Sequence, residues 1–378
     1  MKRTYVWITL ALLAGSSLSF AETIRLKSGK VLEGKIIEKT PDRIKIDVNG
    51  EIMSVGFSFL SAESLSVVEK YQTTEPQLKA RPLRKPVPAH PNAVFIIGQD
   101  IQSIGDYLLH FQHFEGINDA HYPDGMMAYT AINDPRGLSE SVDHGAGVNF
   151  VDGLIQAYPE YNIIQIGLYM RHMLKEVTSG GLDGNIFKIG DWIKNSGKDV
   201  YLRIGYEFDN PENGYDPQEY IKAYQYIVDK FRALGISNVH FVWHTIAWTD
   251  PNWPPFDPMK WYPGDEYVDW IGISFFDCDR DAEREAVAEL ARTKNKPLMI
   301  AESSPFNRYS NEEKLRWMQI FFEYVDKHNV KFLSYINVNW DQLPLFESQK
   351  WGDARLQNSS VLMGAWLKEI EKYRQKNP

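Results

Sequence analysis

Lys296-Pro-Leu-Met-Ile-Ala-Glu302 is followed by Ser310-Asn-Glu-Glu313 and then by Phe332-Leu-Ser-Tyr-Ile-Asn-Val338. Leu298–Ala301 is a short, near-continuous apolar run, the pattern of a parallel strand covered on both faces. Ser310 and Glu313 have the spacing of a capping box, which supplies partners for backbone N–H groups at a helix start. Leu315, Met318, Phe322 and Val325 then fall on one face of that helix. Phe332–Val338 is the next apolar run, so the stretch spells strand, helix, strand.

The same alternation extends back to Asn92. Further strand candidates are Ala93–Ile97, Met126–Ala131, Ile163–Leu168, Val200–Gly205, Val239–Trp243 and Val268–Ser274. A second well-signalled helix opens at Asp216-Pro-Gln-Glu219 and closes at Gly235. Eight strand-plus-helix units within 92–378 match the count and size of an α/β fold of the (β/α)8, or TIM, barrel type. The main rival, an open doubly wound sheet, usually carries a glycine-rich phosphate loop after its first strand. Gly98-Gln-Asp-Ile-Gln does not supply one.

Upstream the period changes from helical to alternating. Ile24-Arg-Leu26, Val31–Ile37, Ile44-Lys-Ile46-Asp-Val48 and Ile52-Met-Ser-Val55 alternate at period two, with turn signals at Ser28-Gly29, Pro41-Asp42 and Asn49-Gly50. Residues 22–70 therefore predict a small all-β module, an SH3-like or Sm-like barrel. Residues 71–91 hold Pro76, Pro82, Pro86, Pro88 and Pro91, a density that excludes helix and central strand and predicts a semi-rigid linker. Residues 1–21 predict a signal peptide: Lys2 and Arg3, then the short apolar run Val6–Leu13, then Ser19-Phe20-Ala21. An exported, periplasmic or extracellular protein with no membrane span after signal removal is expected. The single cysteine, Cys278, excludes an internal disulfide framework.

A net charge of −9 argues against nucleic acid or an anionic membrane as partner, because both reward clustered Lys and Arg. A neutral polymer fits better. The chain has 11 Trp and 20 Tyr, and aromatic planes stack on the apolar faces of sugar rings.

In a barrel the functional groups sit at the C-terminal ends of the strands. The fourth strand ends Arg203-Ile-Gly-Tyr206-Glu207 and the seventh ends in Glu302. A carboxylate at the tip of a buried apolar strand is costly unless it is solvated, paired or used. One could be structural; two facing each other across the barrel mouth point to paired-carboxylate chemistry.

Residues 93–375 resemble glycoside hydrolase family 26. The resemblance rests on Arg203-Ile-Gly-Tyr206-Glu207, Val242-Trp243-His244, Trp261–Gly272, Lys296–Glu302 and Asn339-Trp340, in that order along the chain. It implies a retaining endo-β-glycanase with Glu207 as acid/base and Glu302 as nucleophile, their carboxyl groups about 5–5.5 Å apart. A raised pKa is expected for Glu207. It also implies Arg203 as a residue that orients a glutamate and Trp340 as a floor beneath the sugar. Tyr206, Trp243, His244 and His172 are expected sugar contacts, and Trp248 and Trp253 are expected to shape outer subsites.

Three departures bear on the substrate. Tyr206 stands where the family usually has His, the sixth strand reads Ser274-Phe275-Phe276-Asp277 where a Tyr contacting the nucleophile is common, and the loop after Glu207 lacks the Trp typical of mannanases. The substrate expected is thus β-mannan or β-xylan, with Tyr206-Glu-Phe-Asp209 closer to the β-1,3-xylanase branch. The alternatives are a silent polysaccharide-binding barrel and a metal-dependent hydrolase. The second is disfavoured by the absence of His-x-His or His-Glu-x-x-His pairs. No cofactor and no metal are expected, and a monomer is.

Overall fold

The computed structural model describes residues 22–39, 43–48, 51–71, 93–111, 117–247, 256–278 and 280–374. The predicted signal peptide, the linker beyond Tyr71, two of the three turn signals in the N-terminal module, and Trp248 and Trp253 lie outside the described residues. The chain divides into two compact units, Met1–Pro82 and Leu83–Pro378.

In the first unit, Glu22–Arg25, Val31–Lys39, Arg43–Val48 and Glu51–Gly56 form an antiparallel sheet in sequence order. Alternation puts Ile24, Leu32, Ile36, Ile44, Ile46 and Val55 on one buried face, joined by Leu60 and Val68. A Leu26–Leu60 bridge ties the chain after the fourth strand back to the first. The periodicity gave no sign of the helix Ala62–Glu69, capped by Ser61, whose Val68 completes this core.

The second unit is a closed eight-stranded parallel barrel. Its strands are β1 (Val94–Gly98), β2 (Gly125–Ala131), β3 (Ile163–Tyr169), β4 (Asp199–Ile204), β5 (Val239–Thr245), β6 (Trp270–Phe275), β7 (Leu298–Ser303) and β8 (Phe332–Ile336). All eight candidate runs form strands, so the (β/α)8 expectation holds. Capping is as the sequence predicts. Asp216 accepts from the N–H groups of Gln218 and Glu219, and Ser310 with Glu313 completes a reciprocal box. After β5 the described residues hold only the 3-10 turn Pro258–Trp261 in place of a full helix.

Two apolar layers hold the barrel. Outward residues such as Leu202, Trp243, Ile271 and Ile300 pack on the helices. Inward residues such as Met127, Tyr201, Val242, Met299 and Ala301 fill the interior. The β6–β7 register breaks this simple alternation. Ile273 pairs with Ile300, but the next pair is Ser274 with Glu302, so Ala301 is an extra residue on β7. A bulge of this kind leaves one residue unpaired and re-aims the side chains beyond it. Met299 and Ala301 already face inward, so strict alternation would turn Glu302 toward the helices. The extra residue turns it into the barrel mouth instead.

Candidate active site

The strand ends open into a cleft of about 950 Å³, within the range of ligand sites. Both glutamates line it. Glu302 is 6% exposed, at the tip of β7. Its Oε1 accepts from the Tyr129 hydroxyl at 2.9 Å and from Arg203 Nη1. Arg203 has no solvent exposure, and its guanidinium lies over the rings of Tyr129 and Tyr206, 5.0 and 5.1 Å from their centroids. The buried cation is thus matched by the Glu302 carboxylate, and that partner raises the Arg203 pKa despite the opposing pull of burial.

Glu207 sits differently. Sequence spacing from Arg203 predicts a shared strand face, but β4 ends at Ile204, and both Gly205 (φ 57°) and Glu207 (φ 51°) are left-handed. A left-handed non-glycine residue costs about 1–2 kcal/mol and persists where its surroundings fix it. Here Asn213 Nδ2 and the Asn210 N–H both donate to the Glu207 carbonyl, at 2.8 and 2.9 Å. The side chain accepts from Ser274 Oγ at 2.6 Å on Oε1 and weakly from Asn210 Nδ2 at 3.4 Å on Oε2. Burial, and then the charge of Glu302, push the Glu207 carboxyl up to about 8, against the smaller downward pull of Ser274 and Asn210. One carboxylate is matched by a cation and the other is held protonated near neutral pH.

The remaining expected residues divide. Tyr206 lines the cleft, its ring 5.5 Å from that of Tyr129. Trp340 lines it as well, but is only 2% exposed: Nε1 donates to Ser304 Oγ, and Phe346, Trp351 and Phe276 pack around the indole. Trp243 is not a sugar contact. It is an outward residue of β5, packed 4.6 Å from Phe208, with Nε1 donating to the Trp261 carbonyl. His244 faces inward but lies fully buried below the cleft, touching Arg203 and Ser274. His172 is exposed at a left-handed position (φ 63°) and does not line the cleft, whereas its neighbour Arg171 does.

Sequence reasoning misses Tyr129, Asn210, Asn213 and the partly exposed rings of Phe306 and Trp351. The first has a readable signal, since it comes two positions after inward Met127 on β2. The sequence places Ser274 at a strand tip without revealing its link to Glu207. Among the described residues no group of three or more His, Cys, Asp or Glu could hold a metal ion.

Comparison with known proteins agrees with this geometry. A beta-1,3-xylanase from Alcaligenes sp is 30% identical over 305 residues, covering 73% of this chain and 62% of that protein. A beta-1,3-xylanase from Vibrio sp is 30% identical over 304 residues, covering 72% and 64%. The chain thus spans less than two thirds of the length of these relatives. The structure of a GH26 beta-mannanase from Bacteroides ovatus superposes with a TM-score of 0.50 at 14% identity, covering 75% of this chain and 89% of that one, a likeness of fold alone. The model of glycosyl hydrolase family 26 matches residues 205–340, a span that runs from the turn before Glu207 through Glu302 to Trp340. These matches make the stretch that carries both glutamates, residues 205–340, similar to glycosyl hydrolase family 26.

Proposed function

We propose that the protein is a retaining endo-β-glycanase whose substrate is a β-xylan, with β-1,3-xylan preferred over β-mannan. The observation that carries this is the contrast between the two cleft carboxyls: Glu302 bound to Arg203 and Tyr129, Glu207 pushed up to about 8. Retaining glycosidases require that division. In the first step Glu207 gives its proton to the glycosidic oxygen as the C1–O bond breaks. Glu302 attacks C1 through Oε2, since Oε1 is held by two donors. In the second step Glu207, now a carboxylate, takes a proton from water as the water oxygen bonds to C1 and Glu302 leaves. The choice of sugar draws on the two relatives named as beta-1,3-xylanases.

The assignment extends to the rest of the chain. Residues 1–21 act as an export signal, residues 22–70 form an accessory module joined by the 71–91 linker, and residues 92–378 carry catalysis as a monomer outside the cytoplasm. Among the described residues no helix is long and apolar enough to cross a membrane. The test is incubation with β-1,3-xylan, β-1,4-xylan, β-mannan and mixed-linkage glucan, with products tracked by chromatography. Early release of mixed oligosaccharides from β-1,3-xylan is expected. Binding without turnover of any of the four would overturn the enzymatic assignment.

A further inference from the structure

We propose that His244 is a positioning residue that, acting through Ser274, fixes which oxygen of Glu207 carries the acid proton. The inference rests on the acid role proposed for Glu207 and adds a device behind it.

Donor and acceptor chemistry sets the direction of the chain of contacts. Arginine can only donate. Arg203 Nη1 lies 3.3 Å from His244 Nδ1, so Nδ1 is the acceptor nitrogen. A neutral imidazole has one acceptor and one N–H, so the hydrogen sits on Nε2. Nε2 lies 2.9 Å from Ser274 Oγ and donates to it. The serine oxygen is thereby an acceptor, which leaves its own hydrogen for Glu207 Oε1 at 2.6 Å. Oε1 is therefore an acceptor in both protonation states, and the acid proton belongs on Oε2. That oxygen is the one near Asn210, which lines the cleft.

The surroundings keep the imidazole neutral. His244 is fully buried, with Arg203 of β4 on one side, Ser274 of β6 on the other and the Tyr206 ring 6.4 Å away. Burial and the Arg203 charge hold its pKa well below the ordinary histidine value. Having no cleft surface, it acts only through its neighbours. Glu207 itself faces the charge of Glu302 from β7 and of Asp209 from its own loop, and lies near the Tyr206 phenol. None of these groups selects between its two oxygens as the Ser274 bond does.

A donor to a carboxyl favours the anion, so loosening the Ser274 bond raises the Glu207 pKa. In Ser274→Ala the basic limb of kcat/KM should move up by about one pH unit. His244→Leu should move it the same way by a smaller amount, because the hydroxyl is left unoriented rather than removed. The double variant should match Ser274→Ala alone, since both changes act on one bond. His244→Gln keeps an acceptor and a donor on one planar group and should restore the wild-type limb. Shifts that add in the double variant, or a limb that His244→Leu leaves in place, would overturn the relay.

A second measurement needs no substrate. Side-chain ¹⁵N spectra, with the His244 signals identified by their loss in His244→Gln, should show Nε2 protonated and Nδ1 bare from pH 5 to 9. A proton on Nδ1 in an active enzyme removes the relay and leaves the function standing. Failure of the wild type to hydrolyse any glycan removes the acid role itself, whatever the tautomer.

Discussion

The Tyr129 hydroxyl donates to Glu302 Oε1 at 2.9 Å, from β2 to β7 across the barrel mouth. Just beyond the end of β6, the Phe276 ring packs toward Phe306 and Trp340 rather than toward this glutamate. The hydroxyl that meets Glu302 therefore comes from β2. Arg203 holds the same oxygen, so the carboxylate is pinned through one atom and presents the other.

Removing that hydroxyl tests the pinning. Tyr129→Phe deletes one hydrogen bond to a charged group, worth about 1.5–3 kcal/mol. The expected result is a fall in kcat of roughly ten- to a hundred-fold with KM little changed. Steady-state kinetics on the preferred xylan measures both, and an unchanged kcat would show the bond to be dispensable.

Activity should fall on the alkaline side as Glu207 loses its proton, with the basic limb of kcat/KM near pH 8. The same group makes a prediction about stability. Its folded pKa lies above the ordinary carboxyl value, so the folded state binds the proton more tightly. The resulting contribution is fully present below the unfolded pKa and is lost as pH rises through about 8. Glu207→Gln should therefore melt higher than wild type at pH 9 and close to it at pH 5, as read by thermal unfolding at both values.

Only the first chemical step needs an acid and only the second needs a base, so the glutamates should respond differently to rescue. Glu207→Ala should still be glycosylated by an aryl glycoside with a good leaving group, stall as the covalent intermediate, and turn over again with azide to give a β-glycosyl azide. Glu302→Ala should give no β-azide. An α-azide from Glu302→Ala, with no rescue of Glu207→Ala, would reverse the two roles.

Gly205 should tolerate no side chain. It is left-handed, and a Cβ there would lie 2.6 Å from Met170 Cε and 2.9 Å from Tyr220 Cε2. Gly205→Ala is expected to cost about 1–3 kcal/mol, measured by chemical denaturation, and to lower kcat as the Glu207 turn shifts.

The barrel was legible because parallel strands buried on both faces are written as apolar runs, and each of the eight runs became a strand. The two glutamates that line the cleft stood out in a similar way, as charges at or just beyond the ends of such runs. Side-chain direction was less legible. Trp243 and His244 are adjacent, and alternation guarantees that only one faces inward without saying which. The turn after β4 hid as well, because the left-handed geometry of Glu207 depends on Asn210 and Asn213, which look like ordinary loop residues until they are seen bonded to its carbonyl. Contacts between distant strands, such as Tyr129 with Glu302, leave no trace in local spacing.

The extra residue on β7 means that backbone irregularity, and not only residue identity, aims Glu302. Straightening the bulge with Ala301 in place would leave every functional side chain in the sequence and still rotate Glu302 toward the helices, whereas deleting Ala301 would not, because Glu302 would then follow outward-facing Ile300 directly. Anyone grafting the stretch Met299–Glu302 unchanged onto an idealised barrel would have to carry the irregularity along with the glutamate.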